Sequence, residues 1–181
     1  MRLCSYRVSL AIAATVFVTS LAAPRVGSAA PPGPMYAQLS SSLSQKASAE
    51  GALVTMDSND ALGGLVHDDK GKSPDVVIKG DGVYFMVAAI QVGKEKGDAD
   101  DYIDVWMKQN GKDVDNSNTE QIITDPSFTA VLVSQGVAEL KRGDKVTIVF
   151  SGSEPGVGLV IKKPAGEPVV PSLILSGWRI D

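Results

Sequence analysis

Apolar and polar residues alternate along much of the chain beyond Gly51, with the period of two that is typical of β-strands. The clearest case is residues 102–108, where Ile103, Val105 and Met107 share one face and polar residues occupy most of the other. This alternation indicates a half-buried strand. Similar signals predict strands at 76–78, 83–92, 102–108, 121–124, 130–140, 145–150, 157–161 and 172–180.

Glycine and proline separate nearly all of these apolar runs, which leaves little room for helices. Asn110-Gly111 favours a tight hairpin turn, because both residue types tolerate positive φ. Arg142-Gly143-Asp144 predicts a second turn between strands. Short strands at this spacing are typical of sandwiches and barrels. We therefore expect an all-β fold made of two packed antiparallel sheets.

The first thirty residues differ from the rest and have the layout of a secretory signal peptide. Arg2 and Arg7 precede an apolar run at 8–23, and small residues follow at 27–30. We expect residues 1–29 to be removed by cleavage after Ala29. A retained membrane anchor is the alternative, although a span needs roughly 20 apolar residues and this run is short.

Cleavage would change both the cysteine content and the charge of the chain. It removes Cys4, the only cysteine, so the mature protein would be held together by its core without disulfides. Three arginines and no acid leave with it, which moves the formal net charge from −4 to −7. An acidic surface disfavours nucleic acid and anionic lipid as partners. We expect a secreted, extracellular protein, periplasmic or on the cell surface if the source is a Gram-negative bacterium, with no membrane span in its mature form.

Residues 30–50 are rich in proline and serine, with Pro31, Pro32 and Pro34 followed by serines at 40–42 and 44. Proline removes backbone donors and fixes φ, which disfavours regular structure. We predict a mobile linker here. The folded domain is then expected to span residues 51–181.

Four motifs in the second half of the chain carry a resemblance to a known family. They are Gly82-Val83-Tyr84-Phe85, the Asn-Gly turn within 108–112, the series Leu140, Gly143, Asp144 and Val146, and Leu175-Ser176-Gly177-Trp178. In order and spacing they resemble the globular head of complement component 1q and the related tumour-necrosis-factor-like jelly rolls. Met86 departs from the family pattern, which has a second aromatic residue there.

The resemblance covers about residues 75–181 and implies a jelly roll of about ten strands that assembles as a homotrimer and presents loops to a ligand. The run at 83–92 is apolar at nearly every position, and a strand without a polar face needs cover on both sides. We therefore expect Tyr84, Phe85, Leu175 and Trp178 at the trimer interface. The alternative is that residues 51–79 fold over this face within one chain.

Candidate catalytic and metal-binding residues are few. His67 is the single histidine and lies in a polar stretch, so we expect a solvated loop residue and no enzyme activity. No cofactor is expected. Acidic residues cluster at 57–60 and at 98–101, and such oxygen-rich loops suit Ca²⁺, although neither follows a known calcium-loop pattern and solvated acidic loops are the alternative.

Trp106 lies on the polar face of its predicted strand, close to Tyr102, where it would either be buried between subunits or stack on sugars. We therefore predict a secreted, non-catalytic recognition or scaffold module. Its partners would be further copies of itself in a homotrimer and an extracellular protein or glycan. The alternative is a monomeric carbohydrate-binding β-sandwich.

Overall fold

The computed structural model of the chain describes residues 33–97 and 99–181. The expected signal peptide and its cleavage site lie outside the described residues. The described residues form fourteen strands. The strands are β1 (Tyr36–Ser41), β2 (Gln45–Lys46), β3 (Ala52–Leu53), β4 (Ser58–Gly63), β5 (Leu65–Val66), β6 (Val76–Ile78), β7 (Gly82–Lys94), β8 (Asp101–Gln109), β9 (Lys112–Asp113), β10 (Thr119–Ile123), β11 (Thr129–Leu140), β12 (Lys145–Gly152), β13 (Val157–Leu159) and β14 (Leu173–Arg179). None of the described residues belongs to a helix that is long and apolar enough to cross a membrane.

All strand pairings are antiparallel, and they form two seven-stranded sheets. In sheet A the strand order is β11, β7, β14, β1, β4. The short strand β13 pairs with the C-terminal end of β7, on the same edge as β14, and β2 pairs with β13. In sheet B the order is β10, β8, β12, β6, β5, with β3 beside β12 and β9 beside β8. The expected two-sheet jelly-roll sandwich is confirmed. The count exceeds ten because four of the strands are only two residues long.

The longest ladder joins β7 to β11, from the Gly82–Leu140 pair to the Gly93–Thr129 pair. The other edge of β7 pairs with β14 along Tyr84–Ile90 and with β13 beyond it. Thus β7 has neighbours along both edges and is the central strand of sheet A. Because successive side chains of a strand point to opposite faces, alternate residues of β7 enter the core.

The hydrophobic core lies between the inner faces of the two sheets. Sheet A contributes Met86, Ala88 and Ile90 from β7, and sheet B contributes the alternate residues Ile103, Val105 and Met107 from β8. Val146, Ile148 and Phe150 of β12 fill the same layer. The period-two pattern of the sequence therefore sets which side chains are buried.

The linker predicted at residues 30–50 is wrong over its described part. Residues 36–41 form β1, which pairs with β14 on one edge and β4 on the other. Ala37, Leu39 and Ser41 alternate into the core and are nearly inaccessible to solvent. Serine fits this inner face because the Ser41 hydroxyl is satisfied, accepting a hydrogen bond from Gln45 Nε2 at 3.1 Å. The folded domain consequently begins well before Gly51.

Residues 51–79 do not fold over β7 as the alternative supposed. β4 extends sheet A at its far edge beside β1, whereas β3, β5 and β6 belong to sheet B. Valine side chains of β11, beside β7, are left exposed, with Val131 at 59% and Val137 at 58%. No described residue of this segment covers them.

Two turns predicted from sequence meet at one end of sheet B. Asn110 and Gly111 both have positive φ, at 51° and 79°, as a tight hairpin turn requires. Asp144 accepts hydrogen bonds from Asn110 Nδ2 and Gln109 Nε2, each at 2.8 Å, and from the Lys141 backbone N–H at 2.9 Å. In return Asn110 Oδ1 accepts from the Lys145 N–H at 2.9 Å. These bonds therefore tie the turn of the β8–β9 hairpin to the turn between β11 and β12.

Gly111 provides a test of the turn conformation. We expect Gly111→Ala to lower the free energy of unfolding by roughly 1–2 kcal/mol, because its φ of 79° is a left-handed conformation that disfavours a Cβ atom. Gly156→Ala is the matched control, since both glycines have open space around the Cβ position but Gly156 lacks positive φ. Chemical denaturation measures both variants, and equal stabilities would contradict the turn assignment.

Asp144 provides a test of the locked turns. Its pKa is held below the usual value by the Lys141 N–H and then by the Asn110 and Gln109 amides. A carboxyl whose folded pKa is depressed stabilises the fold above its unfolded pKa, and that stabilisation is lost as pH falls through the folded pKa.

We expect Asp144→Asn to cost roughly 1 kcal/mol at neutral pH, because its amide group would face other donors. The difference from wild type should shrink as pH falls below about 4, the ordinary pKa of an aspartate, and on through the lowered pKa at which the folded aspartate becomes protonated. Urea denaturation at several pH values measures this, with Glu167→Gln, an exposed residue, as the charge control. A difference independent of pH would contradict the carboxylate's role.

Candidate protein interaction face

The outer face of sheet A, the side turned away from sheet B, is apolar across its central strands. On β7 the outward residues are Val83, Phe85, Val87 and Ala89, each half-buried between neighbouring strands. Antiparallel sheets commonly carry polar residues on a face in contact with water. An apolar outer face on a central strand is therefore the feature that singles out this side of the molecule.

One row of side chains crosses four strands of this face. The registers place Val137 of β11 opposite Phe85 of β7, Phe85 opposite Trp178 of β14, and Trp178 opposite Tyr36 of β1. The Phe85 and Trp178 ring centres are 5.0 Å apart with the planes tilted by 59°. This distance and tilt lie in the range that aromatic pairs favour. We call these four residues the aromatic row.

A glycine marks the end of the aromatic row on β4. Gly63 pairs with Tyr36, and a Cβ atom at Gly63 would lie only 2.7 Å from Cε1 of the Tyr36 ring. Any larger residue would have to displace that ring. The absence of a side chain at Gly63 therefore leaves room for the Tyr36 ring beside the edge strand β4, which extends the aromatic surface.

The two neighbouring rows differ in polarity. Gln135, Val87, Ser176 and Gln38 form a mostly polar row beside the aromatic one. Beyond it Val133, Ala89 and Ile174 form a second apolar row. Val133 and Ile174 are about two-fifths exposed. The face thus carries two apolar bands separated by a band that can form hydrogen bonds.

The structure divides the four residues predicted for the trimer interface. Phe85 and Trp178 lie on the outer face of sheet A, whereas Tyr84 and Leu175 point into the core with 1% and 2% exposure. For Tyr84 and Leu175 the prediction is wrong, because adjacent residues of a strand face opposite sides. The Tyr84 hydroxyl donates to the Gly80 carbonyl at 2.8 Å, and burial raises its pKa.

Several residues of this face were not predicted from the sequence. Tyr36 was hidden because serines and prolines around it suggested a linker. Val131, Val133 and Val137 lie at alternate positions of β11, and their exposure follows from the same period of two that buries Leu132. β11 is apolar at both odd and even positions over residues 130–133, and this pattern is the sequence signal for a strand whose two faces are both apolar.

His67 is buried rather than solvated, so that expectation is wrong. Its exposure is 6%, its Nδ1 lies 2.7 Å from Asn59 Oδ1, and its Nε2 lies 2.9 Å from the Ser73 carbonyl oxygen. The amide of Asn59 also donates to the His67 carbonyl at 3.2 Å. Both ring nitrogens are therefore occupied in holding the loop after β5.

The two acidic stretches considered for Ca²⁺ are largely engaged in local hydrogen bonds. Asp57 accepts from the Ser42 N–H at 2.8 Å, and Asp60 accepts from the Ser58 hydroxyl at 2.6 Å. Asp101 pairs with the buried Lys94 ammonium at 3.2 Å. Residue 98 lies outside the residues that the structure describes. Among the described residues no three His, Cys, Asp or Glu side chains come together as a metal site.

Trp106 lies on sheet B and is remote in the fold from the aromatic row on sheet A. Its outward neighbours on β8 are Asp104 and Lys108, and its indole Nε1 donates to Asp113 Oδ1 at 2.8 Å. Trp106 therefore belongs to a second, polar surface and contributes nothing to the apolar face.

Two tyrosines on opposite sides of sheet A provide a matched test. We expect Tyr84→Asp to lower the free energy of unfolding by roughly 3–5 kcal/mol, because it removes a buried ring and buries an unpaired carboxylate. Tyr36→Asp should keep the monomer fold, since Tyr36 is 43% exposed. Far-ultraviolet circular dichroism with thermal melting measures both, and a folded, stable Tyr84→Asp protein would contradict the placement.

Comparison with known proteins supports the architecture. The fold is similar to the globular domain of zebrafish complement 1qA protein, with a TM-score of 0.53 and 15% sequence identity over 82% of this chain and 98% of that chain. No protein-family model matches the sequence, and no curated protein matches it. The chain therefore has the complement 1q-like jelly-roll fold that its four sequence motifs predicted.

Proposed function

We propose that this protein is an exported, non-catalytic recognition module that assembles as a homotrimer through the outer face of sheet A. The observation that carries the proposal is the aromatic row, in which Val137, Phe85, Trp178 and Tyr36 continue across four strands. The assembled loops would then be presented to an extracellular protein or glycan ligand.

The energetics favour covering this face. Val131, Val137 and Ile180 are each more than half exposed, and Trp178 is 43% exposed. Contiguous apolar surface of this kind marks interaction sites on soluble proteins. Fully burying a large apolar side chain contributes roughly 1.5–3 kcal/mol. Several such residues per chain would hold an assembly together without disulfides.

The polar band between the apolar rows adds specificity to the same surface. Gln135, Ser176 and Gln38 carry amide and hydroxyl groups that can pair with a neighbouring copy only in certain registers. An unmatched polar group buried at an interface costs free energy. The band would therefore favour one arrangement of the copies over non-specific apolar association.

A closed, rotationally symmetric assembly would bury this surface without the open-ended growth of a head-to-tail arrangement. Head-to-tail contacts that do not close grow into filaments, whereas closed rotational symmetry limits the assembly. The resemblance to complement component 1q and tumour-necrosis-factor-like jelly rolls favours three copies.

The state of the histidine supports a role without catalysis. His67 is the only histidine of the chain, and both its ring nitrogens contact oxygen atoms of Asn59 and Ser73. A general base needs a free nitrogen within reach of a substrate proton. His67 is therefore committed to the loop that it holds.

Mass measurement on paired variants tests the assembly. Val137→Glu places a charge on the outer face of sheet A at a residue already 58% exposed, and Ile122→Glu makes the same change on sheet B at 50% exposure. We expect light scattering after size exclusion to give a trimer for wild type and for Ile122→Glu. Val137→Glu should give a folded monomer, because a buried unpaired carboxylate opposes association.

Two outcomes would contradict the proposal. Wild type running as a monomer at micromolar concentration would favour the monomeric carbohydrate-binding sandwich. A trimer that survives Val137→Glu but is lost in Ile122→Glu would move the assembly surface to sheet B. Circular dichroism on both variants shows that the comparison concerns folded chains.

A further inference from the structure

A groove of about 400 Å³ lies against the outer face of sheet B, on the opposite side of the sandwich from the aromatic row. Asp104, Trp106 and Ser151 form its floor on β8 and β12. The end of β9 and the residues after it form its wall, including Asp113, Asp115 and Asn118. We call it the acidic groove, because its lining residues include three aspartates and no lysine or arginine.

The wall of the acidic groove is fixed by one buried serine. Ser117 is 1% exposed, and its hydroxyl accepts from the Met107 N–H at 3.0 Å and donates to the Val114 carbonyl at 2.7 Å. Its own carbonyl accepts from the Ser134 hydroxyl at 2.7 Å. The wall is thereby tied to both sheets, so the groove is preformed and a ligand need not order it.

The floor carries negative charge without a compensating cation. Asp104 of β8 lies directly opposite Glu120 of β10 in the strand register. Like charges in directly opposed positions destabilise a sheet. Burial raises the pKa of Asp104, and the Glu120 carboxylate raises it further. Within the described residues no ion pair includes Asp104, Asp115 or Glu120.

The neighbouring residues already hold one cation against the same indole ring. Lys108 Nζ lies 5.9 Å from the centre of the Trp106 ring and 3.4 Å from Asp113 Oδ1. This is the distance range in which a cation is attracted to the face of an aromatic ring. Asp104 lies two positions along β8 on the other side of Trp106, about 7 Å away by strand geometry.

We propose that the acidic groove binds the guanidinium group of an arginine side chain presented by a partner protein. A guanidinium is planar, pairs with a carboxylate through two parallel hydrogen bonds and stacks on aromatic rings. Asp104 supplies the carboxylate, Trp106 the ring, and Asn118 with Ser151 the polar surroundings. The groove is complete within one chain, so this proposal is independent of trimer assembly.

Nuclear magnetic resonance of the Trp106 indole N–H tests the proposal. The signal is assigned by its persistence in Trp178→Phe, and the probe is the peptide acetyl-Gly-Arg-Gly-amide in buffer of physiological ionic strength, which screens non-specific attraction. We expect a saturable shift with this peptide and none with acetyl-Gly-Gln-Gly-amide. Asp104→Asn should weaken binding at least tenfold, whereas Glu167→Gln, which removes an exposed charge elsewhere, should leave it unchanged.

Further outcomes decide against the proposal. Equal shifts with the arginine and glutamine peptides, or undiminished binding by Asp104→Asn, would overturn it. Saturation by maltose without saturation by the arginine peptide would make the groove a sugar site instead. If Asp104→Asn is misfolded by circular dichroism, Asp115→Asn on the exposed wall replaces it and should weaken binding at least threefold. The Trp106 signal reports on the groove alone, and light scattering measures the oligomeric state. Failure of this proposal can therefore be distinguished from failure of the trimer proposal.

Discussion

The structure depends on a central strand that is apolar on both of its faces. β7 spans Gly82–Lys94 and pairs along its whole length, with β11 on one edge and with β14 and β13 on the other. Its inward residues are covered by sheet B. No other part of the described chain covers its outward residues, and several of their neighbours on β11 and β14, including Val137, Ile174 and Trp178, are apolar as well. A single strand therefore fixes both the core and the surface that needs a partner.

The outer faces of the two sheets differ in chemical character. Sheet A presents an apolar outer face, whereas sheet B presents charged and polar groups such as Asp104, Lys108 and Glu120 beside Trp106. The Asn110 and Asp144 turns hold the β8–β12 register that brings Asp104 next to Ser151. In the proposed assembly sheet A would face other copies of the chain, and sheet B would remain available to a ligand.

Local periodicity predicted most of the fold, and tertiary context decided the rest. The strands β7, β8, β11, β12 and β14 carry alternation or turn signals strong enough to locate them within one or two residues. β1 could not be predicted, because prolines and serines surround it and two of its three inward residues, Ala37 and Ser41, are small; its pairing with β14 and β4 is set only by the fold. The burial of His67 could not be predicted, because its partners Asn59 and Ser73 become its neighbours only through the fold. Tyr84 and Leu175 show that apolar character alone does not tell whether a side chain points into the core or to the outer face. The odd or even position of the residue along its strand decides this.

The solvent accessibility of Trp178 in the assembled protein tests the central claim most directly. In the single chain Trp178 is 43% exposed on the outer face of sheet A. With Trp106→Phe as background, Trp178 is the only tryptophan in the described chain, and acrylamide quenching of its fluorescence reports whether the face is covered. Weak quenching at micromolar concentration that strengthens on dilution is the predicted result. Strong quenching that does not depend on concentration would show an open face and contradict the assembly through sheet A.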